Sequence, residues 1–471
     1  MKTTTTFLTV ISILFFLNYP LLAQTQKGDI ITGGGVYFGL ERSVAISDSG
    51  NRIIAGAAFT DVNGNTSAGV ALVFELVNNN WQQLGDDLEG ENESERFGRA
   101  TEIAPSGDRV AVGGDEKVKV YDWTNNQWEQ IGGDITVPEI SGVGNLEFSA
   151  NGEILGVGYT GFNVDKTVRV YKLINNIWTE LGDGFDASQF GAFSLSNDGE
   201  RIVVQYTTGN LGFELKTHDF SGGTWTVVAT TLGSATGEVL TEGFAISASG
   251  NRLIATTRID DMPNGYVTTY DYQGNDWVAS LPELPIVIDN NFGMTLRSSN
   301  SGNIFILGTA DDNPIVGVSD IFVYQVINNQ WQLAGDVING SADDEAANGH
   351  VDITGDGQNI VFAGNETPSG GEEEFVAGFD MSGVLSVTDQ PTFESPRLYP
   401  NPTSGKIEID FGAFYAEMGL TVQNILGQTL QQKTFKNSQN IHHFIKGETG
   451  VYFVTLTTPS NNVITFKVLK N

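Results

Sequence analysis

The sequence predicts an all-β chain, a seven-bladed β-propeller followed by a small C-terminal β-sandwich. Three observations carry that expectation. A segment built on a turn glycine with apolar alternation on both sides recurs seven times, a second segment built around an Asn- or Gly-rich turn and a tryptophan recurs six times, and 57 of the 471 residues are glycine. Glycine and asparagine at that density supply tight turns, and many turns mean short strands rather than helices.

The first segment reads AISDSGNRIIAGA from Ala45 and returns as EIAPSGDRVAVGG, EFSANGEILGVGY, SLSNDGERIVVQY, AISASGNRLIATT, RSSNSGNIFILGT and DITGDGQNIVFAG. Its glycines are Gly50, Gly107, Gly152, Gly199, Gly250, Gly302 and Gly357, spaced 45 to 57 residues apart. Each copy predicts two short strands joined by a turn whose glycine takes positive φ. The second segment reads VKVYDWTNNQWEQIGGDI around Trp128, with relatives around Trp81, Trp178, Trp225, Trp277 and Trp331. Seven residues before each tryptophan stands Phe74, Tyr121, Tyr171, His218, Tyr270 or Tyr324. This is a second hairpin, so each unit of about 50 residues supplies four strands, one propeller blade. The tryptophans are expected to pack between blades. Trp123, beside Asp122, falls outside their register.

The two segments are unequal in number, and the shortfall lies in the seventh unit. Its third strand starts at Phe375 with Phe379 in the aromatic position, but Ser386 stands where the tryptophan should be. At the other end of the chain, QTQKGDIITGG from Gln24 aligns with WQLAGDVINGS from Trp331. A propeller must close its ring, so residues 24–32 are expected to supply the outer strand of blade seven.

Before Gln24 the chain reads as a targeting segment. Lys2 is its sole charge, Phe7 to Leu17 is an apolar run, and Leu21-Leu22-Ala23 precedes Gln24 as a signal-cleavage site. The apolar run is too short for the roughly 30 Å of a bilayer core, and no later stretch reaches 18 apolar residues. The mature chain is therefore expected to lack a transmembrane segment. The expected organisation is a signal peptide over 1–23, a propeller over 24–387, a Pro-rich polar linker over 388–396 and a separate domain over 397–471.

The repeat pattern resembles the FG-GAP class of propeller repeat found in integrin α-subunits. The F-G pairs are Phe38-Gly39, Phe97-Gly98, Phe190-Gly191 and Phe292-Gly293, and the G-x-V-x-V-Y strand, N-N-x-W turn and L-G-x-D follow in order. Blades three, five and seven lack the pair. That resemblance implies calcium in D-x-D-x-D-G loops between the second and third strands, where alternate oxygens converge on a hard cation. In blade one the loop reads TDVNGNTSAG, so Asp61, Asn63 and Asn65 are the candidate ligands, with one charge in place of three. No other cofactor is expected.

The last domain has its own signature: Tyr399-Pro400-Asn401-Pro402, a Leu426-Gly427-Gln428 turn, Gly450-Val451-Tyr452, and a final strand with Lys467 and Lys470. In order and spacing it is similar to the type A sorting domain of the type IX secretion system of Bacteroidetes. The resemblance implies export to the periplasm, recognition of this domain by an outer-membrane translocon, removal by a sortase near residues 386–396, and a product that is secreted or displayed on the cell surface.

Composition narrows the chemistry. There are 57 acidic and 24 basic residues, a net charge of -33, and no cysteine. Such a surface repels phosphate, so nucleic acid and anionic membranes are poor partners. Without cysteine there is no disulfide framework, thiolate metal site or cysteine nucleophile. Residues 394–471 carry five acids and seven bases, so the acidity belongs to the propeller. Of four histidines, His218 occupies an aromatic repeat position, His442 and His443 lie in the last domain, and His350 has no assigned role. The acidic run from Asp86 to Glu95 reads as a solvated loop. No catalytic residues are assigned. The expected function is a non-catalytic propeller binding a glycan or protein through variable loops at one end; the alternative is a polysaccharide-degrading enzyme with paired carboxylates at the axis, about 5 to 10 Å apart.

Overall fold

A computed structural model describes residues 24–32, 43–136, 142–161, 166–208, 212–232, 238–259, 264–287, 295–308, 320–339, 350–366, 373–385, 397–424, 428–457 and 463–471. The leader over 1–23, with Ala23, and the linker over 388–396 lie outside them. Among the described residues every regular element is a strand. Seven antiparallel sheets share one four-stranded plan, its strands consecutive in six of them, and an eighth sheet holds the last 75 residues. The inner strands are Val44–Ile46, Ala100–Ile103, Gly142–Phe148, Phe193–Leu195, Glu238–Ile246, Thr295–Ser298 and Val351–Ile353. Each packs on the next and the seventh packs on the first, so the ring is closed.

The repeat residues explain the shape locally. All seven turn glycines have φ between 64° and 77°. In six turns the Ser or Thr three residues earlier accepts the amide two residues after the glycine, as when Ser196 Oγ accepts Arg201 N at 2.9 Å. The Asn-Asn pairs 78–79, 125–126, 175–176 and 328–329 all lie at positive φ, the geometry of two-residue hairpin turns that match strand twist.

Blades are tied to one another at two places. Arg52, Arg109, Arg201 and Arg252 pair with Glu75, Asp122, Asp219 and Asp271 on their own third strands. The same guanidinium groups reach the next blade's turn at Gly107 O, Gly152 O, Gly250 O and Asn303. At the rim, Trp128, Trp225, Trp277 and Trp331 donate their indole N–H to Leu84 O, Leu181 O, Thr217 Oγ1 and Thr269 Oγ1 of the preceding blade, at 2.6–2.8 Å. Trp123 corrects the sequence reading. It pairs directly across from Trp128, as Phe220 does with Trp225 and Tyr272 with Trp277, so it is in register and packs on the repeat tryptophan.

Blade seven is completed by Thr25–Thr32, which pairs antiparallel with Glu373–Asp380. This strand also replaces both missing ties. Blade seven has Asn359 where blades one, two, four and five have arginine, and Lys27 Nζ donates to Asn359 Oδ1 at 2.6 Å. Where the tryptophan is missing, Gln24 spans the backbone of Asp336: its Nε2 donates to Asp336 O at 2.8 Å and its Oε1 accepts Asp336 N at 2.9 Å. Trp81 of blade one then donates to Lys27 O at 2.8 Å, and the bare face of Gly28 lies against its ring.

The C-terminal unit is five antiparallel strands around one core. Its long strand Lys406–Asn424 loses register between Asp410 and Tyr415. Both halves therefore turn apolar residues inward, Ile407, Ile409 and Phe411 from one and Met418, Leu420 and Val422 from the other.

Candidate functional site

Seven inner strands that converge on one axis turn a column of the repeat into a ring. Side chains alternate along a strand, so the residues five before the turn glycines share one side of their strands, with Ala45 and Ala245 packed between blades. These residues are Ala45, Glu102, Glu147, Ser194, Ala245, Arg297 and Asp352. Three carboxylates and one guanidinium from four different blades meet at this waist.

The waist is held by bonds to neighbouring blades. Asp352 Oδ2 accepts Ile46 N at 2.8 Å, Ser194 Oγ accepts Ile246 N at 3.2 Å, and Glu147 accepts the amide of Leu195. Arg297 crosses from blade six to blade three, where it donates to Asn145 Oδ1 at 3.4 Å. Burial raises all three acids above the ordinary carboxylate range, Glu147 to about 7. The negative neighbour Asp352 pushes Glu102 and Glu147 further up, and Arg297 opposes the rise in all three.

The floor is closed. Asn197 N donates to Ala248 O, Ala248 N to Asn300 O, Asn300 N to Gly355 O, Gly355 N to Asp48 Oδ1, Asp48 N to Pro105 O and Ala150 N to Asn197 O, all at 2.7–3.1 Å. The circuit breaks once, at Pro105, which has no N–H for the next blade. Asn197 and Asn300 also bridge across it at 3.2 Å. Burial lifts Asp48 to about 6, helped by Asp356 and Asp352. The space above the waist is lined by Val44, Thr101, Asn145, Leu146, Thr295, Arg297, His350 and Val351. The site is thus a small polar well on the axis, with a ring of hydrogen bonds at its floor.

The two faces differ in construction. On the floor side, five residues join the first and second strands in all seven blades, and two join the third and fourth wherever both belong to one blade. On the mouth side, three to twelve residues join the second and third strands.

The sequence-predicted residues fall elsewhere. Asp61, Asn63 and Asn65 share one mouth-side loop of blade one: Asp61 Oδ1 accepts Ser67 N, Asn63 Nδ2 donates to Glu89 and Asn65 Nδ2 to Glu91 O, at 2.8–2.9 Å. Among the described residues no three His, Cys, Asp or Glu side chains converge in a metal-binding arrangement. The acidic run is less solvated than its sequence suggests. Glu95 is 1% exposed and caps the amides of Glu91 and Asn92, while Lys117 and Lys119 hold Glu91 and draw its carboxyl down to about 2. His350 stands at the well's mouth, and His218 is buried against Tyr206 and Phe185, with burial lowering it to about 4.

In the C-terminal unit the dispersed motifs assemble into one place. Asn401 Nδ2 donates to Lys467 O and its Oδ1 accepts Leu469 N, which fastens the Tyr399-Pro400-Asn401-Pro402 segment to the last strand. Tyr399 donates to Glu408, Gly450 pairs with Lys470, Tyr452 donates to Glu448 O, and Lys470 Nζ reaches Gly447 O.

Residues 397–471 match the family described as a secretion system C-terminal sorting domain. The chain therefore carries a type IX secretion sorting domain, and the protein is secreted or placed on the outer-membrane surface. A search of curated proteins finds no match. Solved structures resembling the chain include an oligogalacturonate lyase in complex with manganese, at 13% identity and TM-score 0.47, covering 77% of this chain and 92% of that one. A chain of the mitotic checkpoint complex is 11% identical with TM-score 0.48, covering 80% and 98%. A Lactobacillus plantarum protein is 10% identical with TM-score 0.44, covering 62% and 82%. These likenesses concern the path of the chain and carry nothing about activity. No helix among the described residues is long and apolar enough to cross a membrane.

Proposed function

We propose that the exported propeller is a non-catalytic binding protein whose ligand, a glycan or a protein, is held on the mouth face. The observation that carries this reading is the contrast between the faces: constant connections on the floor, connections of three to twelve residues around the mouth. Variable loops on a rigid ring are where binding residues concentrate. The enzyme alternative draws support from Glu102, Glu147 and Asp352 at the axis. Against it, among the described residues the lining above them holds no Trp, Tyr or Phe. Glycan arrays and pull-downs with the purified protein are expected to give saturable binding, and a polysaccharide panel no turnover. Turnover abolished by Glu147→Gln or Asp352→Asn would replace this reading with the enzyme.

The blades are proposed to be of the FG-GAP type. In support, Phe97 is buried between blades, and the Gly98 carbonyl sits where only a glycine, Gly56, leaves space. Calcium at Asp61, Asn63 and Asn65 is proposed as a weak site, since the set holds one charge and its amide N–H groups already close the loop. Millimolar calcium added after chelation should raise the melting temperature slightly, and Asp61→Ala should remove the rise. Equal melting with and without calcium would exclude the site. Recognition of the assembled Tyr399–Pro402, Gly450, Tyr452, Lys467 and Lys470 region by translocon and sortase is likewise proposed, as is leader cleavage between Ala23 and Gln24, which the alignment of Gln24 with Trp331 supports.

A further inference from the structure

We propose that Asn63 is a site of spontaneous covalent modification: the Gly64 amide nitrogen attacks its side chain, ammonia leaves, and a carboxylate takes the place of the amide. The change regulates the mouth loop of blade one, and in that respect it rests on the cation reading of the same loop given above.

The reaction needs a glycine after the asparagine, a backbone nitrogen free of other bonds and a side-chain carbonyl carbon open to attack. Gly64 N bonds to Asn63 Cγ and the Cγ–Nδ2 bond breaks. The Gly64 proton passes through solvent to Nδ2, which departs as ammonia. Water then opens the cyclic imide at either carbonyl, giving aspartate or isoaspartate and restoring the Gly64 N–H. Each product carries a carboxylate.

Asn63-Gly64 meets these conditions. The pair is the tip of a two-residue turn, with φ of 52° and 87°, closed by Val62 N to Asn65 O at 3.1 Å and Asn65 N to Val62 O at 2.9 Å. Those bonds bypass the peptide between Asn63 and Gly64, which makes no hydrogen bond among the described residues. Both residues are exposed, and the space where a Gly64 Cβ would stand is open, so the nitrogen is unshielded. Two further Asn-Gly pairs among the described residues are tied. Asn151 Oδ1 accepts Ser149 Oγ at 2.8 Å and Glu153 N at 3.0 Å, and Gly152 N donates to Ser149 O at 2.8 Å. After Asn264, Gly265 is paired on both sides of its strand, with Arg258 and with Ile286.

The amide that is lost fastens the loop. Asn63 Nδ2 donates to Glu89 Oε2 at 2.9 Å, which ties the turn to the short strand Leu88–Glu89. An ionised carboxylate donates nothing, so the tie disappears and residue 63 repels Glu89. The loop then holds acids at positions 61 and 63, with Glu89 released beside them. That is the oxygen-rich, negative set a hard cation takes. Fresh protein therefore has a mouth loop closed by amides, and aged protein an untied loop with higher cation affinity.

The test ages the full-length protein at pH 5 and at pH 9 and follows it by fragmentation mass spectrometry of its peptides. Loss of ammonia and gain of water are expected at Asn63, faster at pH 9. The rate should exceed that at Asn151 by about tenfold or more, because hydrogen bonds must open there first. Asn63→Gln cannot close the five-membered ring and should stay unmodified at that position. Calcium added after chelation should raise the melting temperature more in aged protein and in Asn63→Asp than in fresh protein or aged Asn63→Gln. An Asn63 that stays intact through weeks at pH 9, or that converts no faster than Asn151, would overturn the proposal. If Asn63 converts but fresh, aged and Asn63→Asp proteins respond equally to calcium, the cation reading survives and the regulatory role falls. If Asn63 converts and none of the three responds, the modification stands and the cation reading falls with its regulation.

Discussion

Glu147→Gln is expected to raise the melting temperature at pH 8 and to leave it unchanged at pH 4.5. Burial holds the folded-state pKa of Glu147 near 7, while in the unfolded chain it titrates near 4.5. Below pH 4.5 both states carry the proton and the group is neutral to stability. Between 4.5 and 7 the folded state keeps a proton that the unfolded chain releases, so stability falls with each step in pH. Above 7 the full penalty is present. Glutamine has no proton to lose and keeps an oxygen for the Leu195 amide, so its advantage should grow from nothing to about 1–3 kcal/mol by pH 8. Arg297 opposes the shift, whereas Asp352 adds to it. The wild-type protein should itself lose stability from pH 5 to 8, with Asp48 titrating near 6 in the same sense. A gap between mutant and wild type that stays constant from pH 4.5 to 8 would show that Glu147 titrates in the folded protein as it does in the unfolded chain.

Deleting residues 24–32 should have the largest effect on stability. Three losses coincide: the ladder to Glu373–Asp380, the Lys27 and Gln24 ties, and the acceptor for the Trp81 indole. Together they should remove on the order of 5 kcal/mol. Limited proteolysis should then cut first within blade seven. The milder pair Gln24→Ala and Lys27→Met keeps the strand and should cost about 1–3 kcal/mol. A truncated protein that melts with the full-length protein would mean that the ring does not depend on its N-terminal strand for closure.

The closure was legible because the repeat has a phase: once Gln24 aligned with Trp331, one strand was left for one vacancy. The axial acids were visible as a column five residues before each turn glycine, yet not as a site. Alternation tells which side of a strand a residue faces, and only ring closure tells that seven such sides meet. Glu102 and Asp352 are 250 residues apart in sequence, so a search for neighbouring carboxylates finds the run from Asp86 to Glu95 instead. There the burial of Glu95 depends on Lys117 and on backbone amides that chain order alone does not bring together. Trp123 was misplaced for a smaller reason. Its counterparts in other blades are Leu76, Leu173, Phe220, Tyr272 and Val326, a position that accepts any large apolar side chain and so shows no repeat letter.

The joint between blades two and three lacks two ties that the other joints carry. Pro105 withholds the floor amide there, Ala104 replaces the turn hydroxyl present in every other blade, and the indole N–H of Trp178 has no hydrogen-bond partner. What remains is the Arg109 contact to Gly152 O, the Val143 amide donating to Gly114 O, the Arg99 bond to Thr160 Oγ1 and side-chain packing. Floor and rim are therefore both untied at this one joint, and Glu102 and Glu147 stand on its two sides. Thermal breathing of the ring will concentrate there, so amide exchange should be fastest along that boundary and the well should widen chiefly between these two glutamates.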